Sequence, residues 1–96
     1  MRYLKVMSNL NQDDVPVTTF HEVDDDDFES RKIEIYPDST IEMASYGMQT
    51  KESGLSPEKF EAIDEINALQ GFDAAEMAKE EFERQWDLAS NYIRNK

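Results

Sequence analysis

Glu22, Asp24, Asp25, Asp26, Asp27 and Glu29 crowd one short stretch, HEVDDDDFESRK. Carboxylates this dense can hold a divalent cation, act as acid and base, or attract a cationic partner. A calcium loop needs D-x-D-x-D-G, so that alternate oxygens turn inward around a glycine bend. Here the aspartates are contiguous, no glycine follows them at the bend, and Ile35 replaces the closing glutamate. Contiguous carboxylates point apart and repel, so no dedicated metal site is expected and no cofactor is implied. Catalysis finds little support. His21 is the single histidine, and as a strand residue it is expected on the solvent face or at the sheet edge. Ser8, Ser30 and Ser45 lie outside any nucleophile elbow, and Gly47, Gly54 and Gly71 are too scattered for a phosphate loop. The third use of the carboxylates, a charged face for a basic partner, is the one that remains.

The whole chain leans the same way. It has 96 residues and a formal net charge of −12. From Asn11 to Ser30 it carries eight acids and neither Lys nor Arg. Such a surface repels nucleic acid and anionic lipid. It also keeps a small protein soluble, which is the blander reason for acidity. With no cysteine there is no disulfide framework or thiolate metal site, in keeping with a reducing cytoplasm. No run approaches the ~20 apolar residues of a membrane helix. At this length one domain is expected over 1–96.

The elements that must position the acids are legible as periodicities. RYLKVMS (2–8) alternates, with Leu4 and Val6 on one face and Tyr3, Lys5 and Met7 on the other. VPVTTFHEV (15–23) is β-branched and reads as a second strand. SRKIEIY (30–36) puts Ile33 and Ile35 inward, and IEMASYG (41–47) returns with Ile41 and Met43 inward. Strands two to four form a meander within a four-stranded antiparallel sheet over 1–47. A helix is expected over 56–70, capped by Ser56, led by Pro57, striped by Phe60, Ile63, Ile66 and Leu69, and closed by Gly71. Asp73 and Glu76 fit a capping box for a last helix over 74–93; alternatively FDAAEM is extended and the helix starts near Lys79. Ala78, Phe82, Trp86, Ala89 and Ile93 share one side of it, with Trp86 as a core anchor and Glu80 to Arg84 as an ion pair. The fold class is α+β, with both helices packed on one face of the sheet.

Several words of the sequence carry a resemblance. They are Tyr3-Leu4-Lys5-Val6, Pro16-Val17, Glu22-Val23-Asp24-Asp25, Glu29 through Tyr36, Asp64-Glu65-Ile66-Asn67, and Lys79-Glu80-Glu81-Phe82-Glu83 followed by Trp86. Together they resemble a family of small bacterial domains catalogued without an assigned function, over nearly the whole length. Two positions depart from its pattern: Ser39 stands where a turn glycine is usual, and Ala78 where a serine would cap the last helix. The resemblance implies a fold and no chemistry. In size and charge such domains are similar to immunity proteins that neutralise bacterial toxins.

The expected function is therefore a non-catalytic acidic domain that binds and neutralises a basic protein, a nuclease-like toxin above all. The alternatives are a nucleic-acid mimic encoded by a phage or mobile element, and a small enzyme. Glu22, Asp24, Asp25, Asp26, Asp27, Glu29, Glu34 and Glu42 would supply the charge, if the strands bearing Glu34 and Glu42 pair. Phe28 and Tyr46 would supply apolar anchors, since Tyr36 and Tyr46 phase away from the Ile33 face, where either a partner or the last helix would cover them.

Overall fold

The computed structural model describes residues 1–50 and 54–95. It is α+β, with one fully antiparallel sheet of six strands rather than four. β1 (Arg2–Ser8), β2 (Thr18–Val23), β3 (Glu29–Ile35), β4 (Ile41–Ser45) and β5 (Met48–Gln49) follow one another as a meander. A helix, α1 (Ile63–Asn67), then precedes β6 (Phe72–Glu76), and the chain ends in α2 (Lys79–Arg94). The spatial order is β5-β4-β3-β2-β1-β6, so the last strand closes against the first.

The alternation in the strands fixes two faces. Tyr3, Phe20, Ile33 and Met43 stand side by side across β1 to β4 and are buried under Phe82 and Ala89 of α2. Ile35, Ile41, Met77, Trp86 and Ile93 pack around this core. Trp86 thus packs against the core from a half-buried position, on the side its helical spacing predicts. Arg84 of α2 pairs with Glu81 one turn back rather than with Glu80.

The opposite face is covered too, which corrects the expectation that both helices share one side. Leu4, Val23 and Ala44, which the strand pairing phases to this face, are fully buried. A strap, residues 54–62, runs along this face past Lys32, Glu29 and His21 and leads into α1, where Ile66 is the one buried residue. The helix expected over 56–70 is realised only as its five-residue remnant. The reason is competition for backbone donors. The N–H of Ser56 goes to Oε1 of Glu29 (3.1 Å), and that of Phe60 to the carbonyl of Asp27 (2.6 Å). The Phe60 ring packs on His21 with centroids 4.7 Å apart, so the apolar stripe serves the sheet instead of a helix face.

At 72–76 the structure takes the second of the two readings, an extended segment with the last helix starting at Lys79. Asp73 and Glu76 do not cap a helix, because this segment pairs with β1 from Leu4–Glu76 to Ser8–Phe72. The bonds from Asn9 N–H to Gly71 O (3.0 Å) and from Met77 N–H to Tyr3 O (2.9 Å) extend the ladder at both ends. α2 accordingly starts at Lys79, with Ala78 in an extended N-cap conformation and no side-chain cap.

Candidate functional site

The acidic run is the β2–β3 turn, and Asp24 builds it. Its N–H reaches the carbonyl of Phe28 (2.8 Å), while its carbonyl accepts from the N–H of Asp27 (3.0 Å). Its Oδ1 also accepts from the N–H groups of Asp26 (2.9 Å) and Phe28 (3.0 Å). Asp27 closes the turn at φ 69°, a left-handed conformation that aspartate tolerates better than most residues. Asp24 is thus a structural acceptor. Asp25, Asp26 and Asp27 stay exposed. The N-terminal amine lies 2.6 Å from Asp25 and holds its carboxyl below the usual range. Arg2 lies 3.2 Å from Asp27. Phe28 is half-buried.

Glu22 and Glu29 are not part of an exposed face. The bulge at Ser30 sends them to opposite sides of the sheet. Glu22 lies on the α2 side, where its Oε1 accepts from Arg31 Nε (2.9 Å) and Ser30 Oγ (2.6 Å), and its Oε2 from Arg31 Nη2 (2.7 Å). The same guanidinium lies 4.9 Å from the Phe82 ring centroid and 5.0 Å from that of Trp86. Hydrogen bonds from Arg31 outweigh burial and lower the Glu22 carboxyl to about 2.

Glu29 lies on the strap side with His21, and both are buried. This overturns the solvent-facing position expected for His21. Nδ1 of the imidazole stands 2.7 Å from Glu29 Oε2, and Nε2 stands 2.7 Å from Thr19 Oγ1. Burial raises the Glu29 carboxyl, but the hydrogen bonds from His21 and the Ser56 amide prevail and its net shift is downward. A carboxylate only accepts, so Nδ1 carries the proton. Imidazole Nδ1 and Nε2 thus link the Glu29 carboxylate to the Thr19 hydroxyl, and Phe60 and the strap lie over them.

Glu34 and Glu42 do sit opposite each other on paired strands, but away from the turn. Glu34 Oε1 is buried without a hydrogen bond among the described residues. Tyr46, by contrast, is 71% exposed. Because Ser45 pairs with Arg31, its turn lies at the same end of the sheet as the aspartates.

What continues the anionic turn is a set of acids outside those expected from the sequence. Asp27 is hydrogen-bonded to Phe60 of the strap, which brings exposed Glu58 and Glu61 alongside. Exposed Asp64 and Glu65 follow on α1, then exposed Asp73 and Glu76 on β6. Lys59 is the one base within the strap and α1. Their sequence signal was present, but the expected helix dispersed them around a solvated cylinder. Two shallow depressions mark this rim. One, of about 290 Å³, is lined by Met1, Arg2, Asp24, Asp25 and Asp27. The other, of about 200 Å³, lies between Glu29, Phe60 and Ile66. Among the described residues, no three His, Asp or Glu side chains gather as a metal site, and no helix is long and apolar enough to cross a membrane.

Comparison with curated proteins and with solved structures finds no match to this chain. A family model does match, over residues 2–91, which include every strand and nearly all of α2. The chain belongs to the family described as Domain of unknown function (DUF6881).

Proposed function

We propose that this domain is a non-catalytic binding module that docks a basic protein on the rim running from the β2–β3 turn along the strap and α1 to β6. In its finer form the partner is a nuclease-like bacterial toxin, which the domain neutralises by occupying the lysines and arginines that would grip phosphate. The observation that carries the reading is the exposure of Asp25, Asp26 and Asp27 on one turn, at the same end of the sheet as the exposed ring of Tyr46. Charge there steers a cationic partner, and the tyrosine offers a large contact area at low entropy cost. Burial of His21 beneath Phe60 supports a role without catalysis.

The test is capture of partners from the source cell at low salt, followed by association kinetics with the captured protein. Asp25, Asp26 and Asp27 are replaced together by Asn, leaving Asp24 to build the turn. Association is expected to slow roughly ten-fold at low salt, with a flatter salt dependence. Unchanged kinetics would overturn the assignment. Capture of a single partner fits immunity; competition against several unrelated DNA-binding proteins fits nucleic-acid mimicry instead.

A further inference from the structure

We propose that the outer edge of β6 is a strand-docking site for an extended basic segment of a partner protein, and that Asn67 guards it by imitating the main chain of the incoming strand. The proposal rests on the basic partner inferred above and adds where and how that partner is held.

The direction of the β6 backbone groups follows from the ladder. Asn9–Gly71 and Tyr3–Met77 are bonded across the β1–β6 pair. Antiparallel strands alternate bonded and non-bonded pairs, so Asp73 and Ala75 face β1. Phe72, Ala74 and Glu76 then turn their N–H and C=O groups to the open edge. Asn67 fills the central position. Its Oδ1 accepts from the N–H of Ala74 (2.6 Å), and its Nδ2 donates to the carbonyl of Ala74 (3.2 Å). A side-chain amide in this place makes the two bonds that one residue of a neighbouring strand would make. The N–H of Phe72 is held by the carbonyl of Leu69 at a long 3.4 Å.

The guard is weakly anchored. α1 has five residues, no side-chain N-cap, no basic residue in its last turn, and Ile66 as its one buried side chain. Elements this short hold no helix alone and open first. Charge selects the occupant. Asp73 and Glu76 stand exposed on β6, and Asp64 and Glu65 on α1. A second copy of this chain would bring the same acids to the edge and be repelled, whereas a lysine- or arginine-bearing strand is attracted.

The experiment uses the wild-type protein and a synthetic heptapeptide alternating lysine and valine, followed by amide NMR. Binding is expected to shift the Phe72, Ala74 and Glu76 resonances and to slow exchange of these three amides. The same peptide N-methylated at alternate positions keeps its charge and loses its ladder donors, so it should bind at least ten-fold more weakly at this edge. Asn67→Ala should tighten binding roughly five-fold, because no guard has to leave. Ala74→Pro removes the outward N–H, spares the β1 ladder, and should abolish binding. Equal binding of the methylated peptide, or shifts confined to the Asp24–Asp27 turn, would overturn the proposal; neither comparison requires a variant to fold. Asp25, Asp26 and Asp27 replaced by Asn should leave the β6 shifts in place, which separates failure of this site from failure of the turn.

Discussion

Arg31 of β3 and Glu83 of α2 are joined by two hydrogen bonds, of 2.9 and 2.8 Å, while the same guanidinium holds Glu22 through two more. One fork thus connects two strands and the helix that covers them. Arginine alone offers a planar fork of this reach, which lysine does not reproduce.

Removing the fork should be costly, and removing its buried partner as well should not. Arg31→Met leaves Glu22 charged and buried, with an expected loss of about 3–5 kcal/mol in urea unfolding. The double variant Arg31→Met, Glu22→Leu should recover most of that loss. A double variant as unstable as the single one would contradict this account.

Acid should destabilise the fold through the same group. The Glu22 carboxyl sits at about 2 in the fold against an ordinary 4.5. Its folded value is depressed, so its contribution is fully present above about 4.5 and disappears as pH falls toward 2. The size is up to about 3 kcal/mol. Protonating surface acids works in the opposite direction, by relieving the repulsion of a chain at −12. The comparison to make is the urea midpoint from pH 7 to pH 2 in the native protein and in Glu22→Gln, whose curve should fall less steeply.

The strap should respond to His21. His21→Ala removes the ring under Phe60 and a donor from buried Glu29, with an expected loss of about 2–4 kcal/mol. Faster hydrogen exchange of the Ser56 amide should accompany it. Glu29→Gln keeps an acceptor for Ser56 and should cost less than about 1.5 kcal/mol.

Ser39 offers a stabilising change. It sits at φ 71°, where a side chain is disfavoured, in a turn closed by Tyr36 N–H to Thr40 O and Ser39 N–H to Tyr36 O, both 2.9 Å. Ser39→Gly should raise stability by about 0.5–1 kcal/mol. The reverse holds at Gly71, at φ 93°, where a Cβ would stand 2.6 Å from Leu10 Cδ2. Gly71→Ala should cost about 1–2 kcal/mol. Leu10 is partly exposed and can move aside, so adding Leu10→Ala should recover little of it. Thermal melts of the three variants decide both points.

The parts of this fold readable from residues are those where one side chain answers to one neighbour shell. Ile33 and Ile35 alternate because β3 is central, and Phe82, Trp86, Ala89 and Ile93 repeat because α2 lies over a sheet. β6 was hard to read because Ala74 and Ala75 carry no strand signal of their own; the unpaired edge of β1 makes them a strand. The strap is illegible in the sequence because Phe60 and Ile66 keep a helical spacing while Phe60 serves His21 and the helix bearing Ile66 serves β6. Within the acidic segment, spacing could not reveal that Glu22 and Glu29 turn inward. That outcome depends on the bulge at Ser30 and on Arg31 and His21 meeting them from neighbouring positions.

The placement of β1 between β2 and β6 carries a consequence for synthesis. β1 meets one neighbour early, within the meander, and the other only when the distal third of the polypeptide has been made. Throughout translation one margin of the nascent sheet, and the surface α2 will cover, face the crowded cell unprotected. Docking of β6 and α2 is a late, long-range step, and it is the moment at which a newly made molecule is most open to mispairing with its neighbours.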